Sequence, residues 1–151
     1  TAGFLHQAGK RSQAEEELER ALAEAEAEGY TVGIAHVYQV QGELAEKDEN
    51  WEKAAAAFSK ALEYQQRSDA QAALLRALAR VLQRLKRTEE ALQHQRRAVT
   101  LLEKRKGPNK QELAQAYSEL AFLLKEAGAW EEAQEVLNRS LELAVAQKPS
   151  P

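Results

Sequence analysis

The amino-acid sequence predicts an all-α protein made of about four stacked, antiparallel helix-turn-helix repeats. Its composition favours helix, because the 151 residues include only three prolines and seven glycines, while Ala, Leu, Glu, Gln and Arg are abundant. A set of large and small residues also recurs along the chain with one internal spacing. Neither helix of such a repeat can bury its apolar face alone, so stability must come from stacking on neighbouring repeats.

Six positions define the repeat. They are occupied by Tyr38, Gly42, Trp51, Ala54, Phe58 and Ala61 in the second repeat, by Leu75, Ala79, Thr88, Ala91, Gln95 and Ala98 in the third, and by Tyr117, Ala121, Trp130, Ala133, Leu137 and Ser140 in the fourth. A large residue and a small residue four positions later share one helix face, which lets a partner helix approach closely. The aromatic residues at these positions are expected to pack the hairpins: Tyr38, Trp51, Tyr117 and Trp130.

The repeats are expected to follow one another in a single domain of residues 1–151. The first, residues 1–29, is partial, with its turn at Gly9-Lys10 and its second helix marked by Ala14, Leu18 and Ala21. The others are expected at 30–66, 69–106 and 110–146. Further breaks are expected at Asp48-Glu49-Asn50, Arg67-Ser68-Asp69, Lys86-Arg87, Gly107-Pro108-Asn109 and Ala127-Gly128. Thr88 is the expected N-cap of its helix. The absence of Met at position 1 and the truncated first repeat predict a fragment of a longer polypeptide.

The residue types present argue against an enzyme. Cysteine is absent, which excludes thiolate chemistry and fits a reducing, cytoplasmic compartment. No phosphate-binding Gly-rich loop, nucleophile elbow or His-Glu-x-x-His motif occurs. The three histidines are scattered, and His6 and His36 lack an evident third ligand, so no metal or cofactor is expected. No stretch reaches the roughly 18 apolar residues of a membrane span.

Charge is distributed unevenly along the chain. The formal net charge is −3, but residues 70–110 hold eleven basic and three acidic residues, and the remainder sums to −11. Such asymmetry is typical of an electrostatic docking surface, although solvated helix faces and intramolecular ion pairs produce it too.

The recurring residues resemble the tetratricopeptide repeat family, with agreement over about residues 1–146. The resemblance implies a right-handed α-α superhelix, or solenoid, with a groove on its concave side. Ala14, Ala54, Ala91 and Ala133 are separated by 40, 37 and 42 residues, whereas the common unit has about 34. Long repeats of this kind are similar to those of kinesin light chains and of adaptors with leucine-glycine-asparagine repeats. Gln95 departs from the family pattern, because a large apolar residue is expected there.

The resemblance also implies which residues bind. In the family, first-helix residues not used in packing line the groove; the corresponding positions here are His36, Gln39, Glu43, Lys47, Arg76, Arg80, Gln83, Arg84, Gln115, Ser118, Glu119, Phe122 and Lys125. Arg76, Arg80 and Arg84 would form one stripe, which favours an acidic peptide as ligand. The alternative is that Glu43 and Glu119 on neighbouring helices neutralise this stripe.

The function implied is a non-catalytic scaffold that binds a peptide or protein segment in the groove. A nucleic-acid-binding repeat using the basic patch at 76–110 is the first alternative, disfavoured by the sequence pI of about 5.7 and by the lack of interleaved aromatic residues. A ligand-sensing regulatory domain is a second alternative. Self-association into a homo-oligomer also remains open.

Overall fold

The all-α fold class is confirmed. The computed structural model describes residues 2–105 and 109–146, and side chains from residue 9 onward. These ranges contain seven α-helices and no strand: α1 (Ala2–Glu28), α2 (Thr31–Lys47), α3 (Trp51–Tyr64), α4 (Ser68–Arg84), α5 (Thr88–Glu103), α6 (Lys110–Glu126) and α7 (Trp130–Ala146). None of the helices in these ranges is long and apolar enough to cross a membrane.

The helices form two compact units. The N-terminal unit, residues 1–66, contains α1 to α3, and the C-terminal unit, residues 67–151, contains α4 to α7. Within each unit consecutive helices pack on one another. The hairpins α2–α3, α4–α5 and α6–α7 have the antiparallel helix-turn-helix form expected of the second, third and fourth repeats. That all 151 residues act as one domain stays a prediction.

A glycine allows α2 and α3 to approach closely in the N-terminal unit. A Cβ added to Gly42 of α2 would lie 2.7 Å from two ring atoms of Phe58 in α3. The Phe58 ring is buried there among Ala54 and Ala61, which are themselves fully buried. Tyr38 and Tyr64 stack across the same hairpin with ring centroids 6.0 Å apart. The small-large pattern of the repeat therefore has the packing role that the sequence predicts.

The C-terminal unit has a core of aliphatic residues interleaved with alanines. Leu75 and Val81 of α4 and Leu124 of α6 are completely buried, as are Ala91 and several other alanines. Tyr117 is also buried, and its hydroxyl donates a hydrogen bond of 2.5 Å to Oε2 of Glu103. Burial, followed by this contact, raises the pKa of Tyr117 to about 12.

The tight turns after α1, α2, α4 and α6 each contain a residue in the left-handed backbone region. Gly29, Glu49, Lys86 and Gly128 each have φ between 60° and 85°. In the α4–α5 turn, the Lys86 amide donates to the carbonyl of Gln83 and the Arg87 amide donates to that of Leu82, which is the Schellman pattern. Glu49 and Lys86 have side chains in this left-handed region, where a Cβ is unfavourable.

Two local predictions were wrong. Helix α1 continues through Gly9 without a turn, because one helical glycine costs only about 1 kcal/mol and the residues after it favour helix. Thr88 is the first helical residue rather than the N-cap, since the carbonyl of Arg87 accepts from the amide of Ala91. The side-chain caps are instead Asn50 and Asn109, which accept from backbone amides three residues later. The predicted break at Gly107-Pro108-Asn109 lies partly outside the described ranges, which omit residues 106–108.

Candidate functional site

The predicted site residues of the N-terminal unit lie on α2. His36, Glu43 and Lys47 are exposed, and Nε2 of half-buried Gln39 donates to Oε1 of Glu43 at 3.2 Å. A cavity of about 270 Å³ opens among α1, α2 and α3, but these four residues do not line it. The N-terminal unit thus presents them on an open helix surface.

The C-terminal unit brings most of its predicted residues to one cavity. This cavity has a volume of about 340 Å³ and lies along α4, α5 and α6. We call it the α4–α6 groove; its lining residues are Arg76, Ala79, Arg80, Gln83, Gln95, Ser118, Glu119, Phe122 and Leu123. Six of these were predicted from the sequence, and Ala79, Gln95 and Leu123 were not. Ala79 and Gln95 occupy two of the six repeat positions, which the pattern reserves for packing. Arg84 and Gln115 are exposed outside this lining.

Arg76 is neutralised within the C-terminal unit. Its Nε and Nη2 donate to the two carboxylate oxygens of Glu119 at 2.7 and 3.1 Å, and its Nη1 lies 3.6 Å from Glu112. The Arg76 side chain is only 15 % exposed. A bidentate arginine-carboxylate pair of this kind uses the guanidinium edge that would otherwise bind a ligand carboxylate. The intramolecular alternative is therefore correct for Arg76.

The hydrogen bonds of Gln95 explain why a polar residue replaces a large apolar one at this repeat position. It is buried in α5, where the equivalent positions hold Phe58 and Leu137. Its Nε2 donates to the carbonyl of Ala116 at 3.0 Å and to Oε1 of Glu119 at 3.2 Å. A buried amide must satisfy its donors, and here it does so by fixing the Glu119 carboxylate on Arg76. Gln95 therefore supports the Arg76–Glu119 ion pair as a hydrogen-bond donor to Glu119.

Further basic residues of the 76–110 patch also have carboxylate partners. Arg96 forms a bidentate pair with Glu132, and this hydrogen bond lowers the pKa of Glu132 and raises that of Arg96. Arg105 lies 3.0 Å from Glu112. Arg76, Arg96 and Arg105 are therefore paired inside the C-terminal unit, so the patch is not a uniform basic surface.

A second cavity adjoins the first. It has a volume of about 460 Å³ between α6 and α7, and Ser118 and Phe122 line both cavities. Phe122 is 53 % exposed and Trp130 is 62 % exposed. The Lys125 ammonium lies 5.9 Å from the centroid of the Trp130 ring. The prediction that Trp130 packs the hairpin was therefore wrong, since most of its ring faces outward.

A hydrogen bond to Ser140 fixes the position of the Ser118 side chain. Oγ of Ser140, a buried residue of α7, donates to the carbonyl of Ala114 at 2.7 Å, and the Ser118 and Ser140 hydroxyl oxygens lie 2.8 Å apart. Because Ser140 uses its proton on the carbonyl, Ser118 is the donor in the second bond. This bond holds Ser118 at the rim shared by both cavities.

Metal ligation has no support in the described part of the chain. Residues 9–105 and 109–146 contain no cluster of three or more His, Asp or Glu side chains that could hold a metal ion. His36 is exposed on α2, and the side chain of His6 lies outside the described residues.

Helical hairpins that recur in register along a chain define a helical repeat protein. Comparison with known proteins identifies the repeat family. Residues 70–144 match the family described as tetratricopeptide repeat. Residues 70–144 thus carry tetratricopeptide repeats, as the sequence predicts. Tetratricopeptide repeats generally mediate protein–protein interaction, and the family typically provides non-catalytic scaffolds.

Solved structures show the same fold. The crystal structure of BtubC (BKLC) from P. vanneervenii has a TM-score of 0.80 and 21 % sequence identity; it aligns over 95 % of this chain, which spans 61 % of that one. The N-terminal domain of stress-induced protein-1 (STI-1) from C. elegans has a TM-score of 0.65 and 21 % identity, covering 76 % of this chain and 87 % of that domain. The search of curated proteins finds no match.

Proposed function

We propose that this chain is a non-catalytic scaffold that binds a peptide or protein segment in the α4–α6 groove. The observation that carries the proposal is Phe122, a large apolar side chain left 53 % exposed in the middle of a first helix and shared by two adjoining cavities. Exposed aromatic side chains beside a concave surface are typical anchors of protein interfaces.

The groove offers two kinds of contact to such a segment. Phe122 supplies apolar surface, while Arg80, Gln83 and Ser118 supply polar groups along the rim. A segment that places an apolar side chain against Phe122 would bury that ring, and its backbone would meet the polar rim. The predicted N-terminal residues His36, Gln39, Glu43 and Lys47 remain proposed contacts on α2.

Charge is expected to contribute less to partner binding than the sequence alone suggests. Arg76 is paired with Glu119, so the predicted stripe of three arginines does not face a ligand as one unit. We therefore expect apolar contacts to dominate affinity, with charge acting mainly on association rate and salt dependence. The same pairing weakens the nucleic-acid alternative, because Arg76, Arg96 and Arg105 all lie against carboxylates.

A random-peptide phage selection on the 151-residue chain tests the proposal. Selected peptides are measured by fluorescence anisotropy against the wild type, Phe122→Ala and Gln93→Ala. Gln93 is exposed on α5 outside both cavity linings and serves as the matched control. We expect Phe122→Ala to weaken binding by about tenfold or more and Gln93→Ala to leave it unchanged.

Circular dichroism of both variants establishes that they fold. Peptides that bind Phe122→Ala as tightly as the wild type would show that the groove is not the site. A labelled RNA oligonucleotide that binds with steep salt dependence, while no peptide is selected, would instead favour the nucleic-acid alternative.

A further inference from the structure

The buried amide group of Gln95 has a definite orientation in the α4–α6 groove. Gln95 is 1 % exposed and lines this groove. Its Nε2 donates both of its hydrogens to α6, one to the carbonyl of Ala116 and one to Oε1 of Glu119. Because both partners are acceptors, the nitrogen must face α6 and the carbonyl oxygen of the amide must point away from them.

The Oε1 atom of Gln95 is an acceptor that the protein itself does not use. In the described part of the chain, the hydrogen bonds of this side chain are both donations. Within residues 9–105 and 109–146, the buried side-chain atoms that lack a hydrogen-bond partner do not include this oxygen. Oε1 is therefore reached from the cavity that Gln95 lines, and a ligand that displaces water from it must donate a hydrogen bond in turn.

Ser118 supplies a second acceptor to the groove. Its side chain is exposed, and its one hydroxyl proton goes to Ser140, whose own proton goes to the carbonyl of Ala114. The lone pairs of Ser118 Oγ are therefore what this side chain has left for a ligand. Since Ser118 and Gln95 both line the groove, the groove presents two neutral oxygen acceptors.

Gln83 of α4 adds a donor at the rim of the groove. Its Nε2 donates one hydrogen to Oε1 of Glu126 at 3.1 Å and carries a second hydrogen. Gln83 is half-buried and lines the same cavity. A ligand in the groove thus meets two fixed acceptors and, at the rim, an amide hydrogen.

Ionised side chains fit this set of groups poorly. A ligand carboxylate would place its lone pairs against those of Gln95 and Ser118. A ligand ammonium group would lie near Arg76 and Arg80, which line the groove too, and like charges at an interface oppose association. The Glu119 carboxylate does not offset this, because it already accepts from Arg76 and Gln95.

We propose that the α4–α6 groove binds a partner segment through a glutamine side chain. This inference rests on the proposed function, since it specifies the residue that such a segment places in the groove. A primary amide has two N–H donors for Gln95 and Ser118, and its carbonyl oxygen can accept from Gln83. An indole has a single N–H and would leave one of the two acceptors without a donor. Glutamine has one methylene more than asparagine, which would pack on the exposed ring of Phe122.

Peptide selection in two backgrounds tests the proposal. A phage library of random peptides is selected on the 151-residue chain and on its Gln95→Leu variant. Leucine is the residue that the fourth repeat has at the equivalent position, as Leu137. We expect the wild type to enrich peptides with glutamine at one position. The variant should instead enrich an aliphatic residue there, because leucine removes the acceptor and adds apolar surface.

One peptide enriched on the wild type is then labelled with fluorescein and made with its glutamine changed to methionine or to glutamate. Methionine has a similar length and no N–H group, so fluorescence anisotropy should show about tenfold weaker binding to the wild type. The glutamate peptide should bind more weakly still. On Gln95→Leu the methionine peptide should bind at least as tightly as the glutamine peptide. Ser118→Ala should reduce the preference for glutamine, and Gln93→Ala should keep it.

Binding to Phe122→Ala separates a failure of this inference from a failure of the proposed function. Peptides that bind this variant weakly, but bind the wild type equally with glutamine or methionine, would overturn the inference and leave the groove as the site. So would a preference for glutamine that survives in both Gln95→Leu and Ser118→Ala. Peptides unaffected by Phe122→Ala, or a selection that yields none, would overturn both proposals. Circular dichroism checks folding, and the exposed Ser118 keeps the test decisive if Gln95→Leu does not fold.

Discussion

Replacing Gly42 by alanine tests the packing that organises the repeat. The added Cβ would lie 2.7 Å from Cδ1 and Cε1 of Phe58 and 3.0 Å from its Cγ, so the ring must move although it is buried. Overpacking of this kind costs about 1–3 kcal/mol. Alanine regains about 1 kcal/mol through its higher helix propensity. We therefore expect a net loss of up to about 2 kcal/mol in the free energy of unfolding of the N-terminal unit.

The fourth repeat indicates how the loss can be reversed. It has alanine at the position of Gly42 and leucine at the position of Phe58, as Ala121 and Leu137. Phe58→Leu alone should destabilise by leaving space beside Gly42, but in the Gly42→Ala background it should restore part of the stability. The two substitutions should therefore be coupled by about 1 kcal/mol.

Urea denaturation followed by Trp51 fluorescence measures this cycle. Trp51 begins α3 in the N-terminal unit, and Trp130→Phe removes the only other tryptophan. The slope of free energy against urea concentration should be unchanged among the four proteins. A stabilising Gly42→Ala, or strictly additive effects, would refute the reasoning, because the contact would then not limit the approach of α2 and α3.

Two further predictions concern the C-terminal unit. Lys86 and Gly128 occupy equivalent left-handed positions with φ of 64° and 85°, so Lys86→Gly should raise and Gly128→Lys should lower the free energy of unfolding by about 1 kcal/mol each; thermal melts check this, and the same sign for both would contradict it. Burial and then Arg97 lower the pKa of His94 from 6.5, against an opposing effect of Glu90. The unfolded chain therefore takes up a proton before the folded one as pH falls, so stability should decline below about pH 6.5 more in the wild type than in His94→Gln. Parallel pH dependence of the two urea midpoints would show that His94 does not contribute.

The candidate site was only partly predictable. Register within the repeat placed Arg76, Arg80, Gln83, Ser118 and Phe122 on the helices that line one cavity, because residue spacing alone determines which positions share a helix face. Spacing does not reveal which side chains pair across helices.

Arg76 and Trp130 show what residue spacing alone does not predict. The Arg76 charge is neutralised by Glu119, 43 residues later, and that contact depends on how α4 and α6 pack. Trp130 is 62 % exposed, whereas the equivalent residues Trp51 and Thr88 are half-buried. The repeat position alone therefore does not determine burial.

The sequence by itself determined the fold class, the hairpins and the family. These depend on composition, on helical periodicity and on six positions that recur in register, all of which are local or repeated properties of the chain. Only the tertiary structure decided that Gln95 joins an ion pair, that Arg76, Arg96 and Arg105 of the basic patch lie against carboxylates, and that Phe122 is exposed beside a cavity. These features depend on distances between helices, and free energies of burial and charge pairing act through those distances rather than along the sequence.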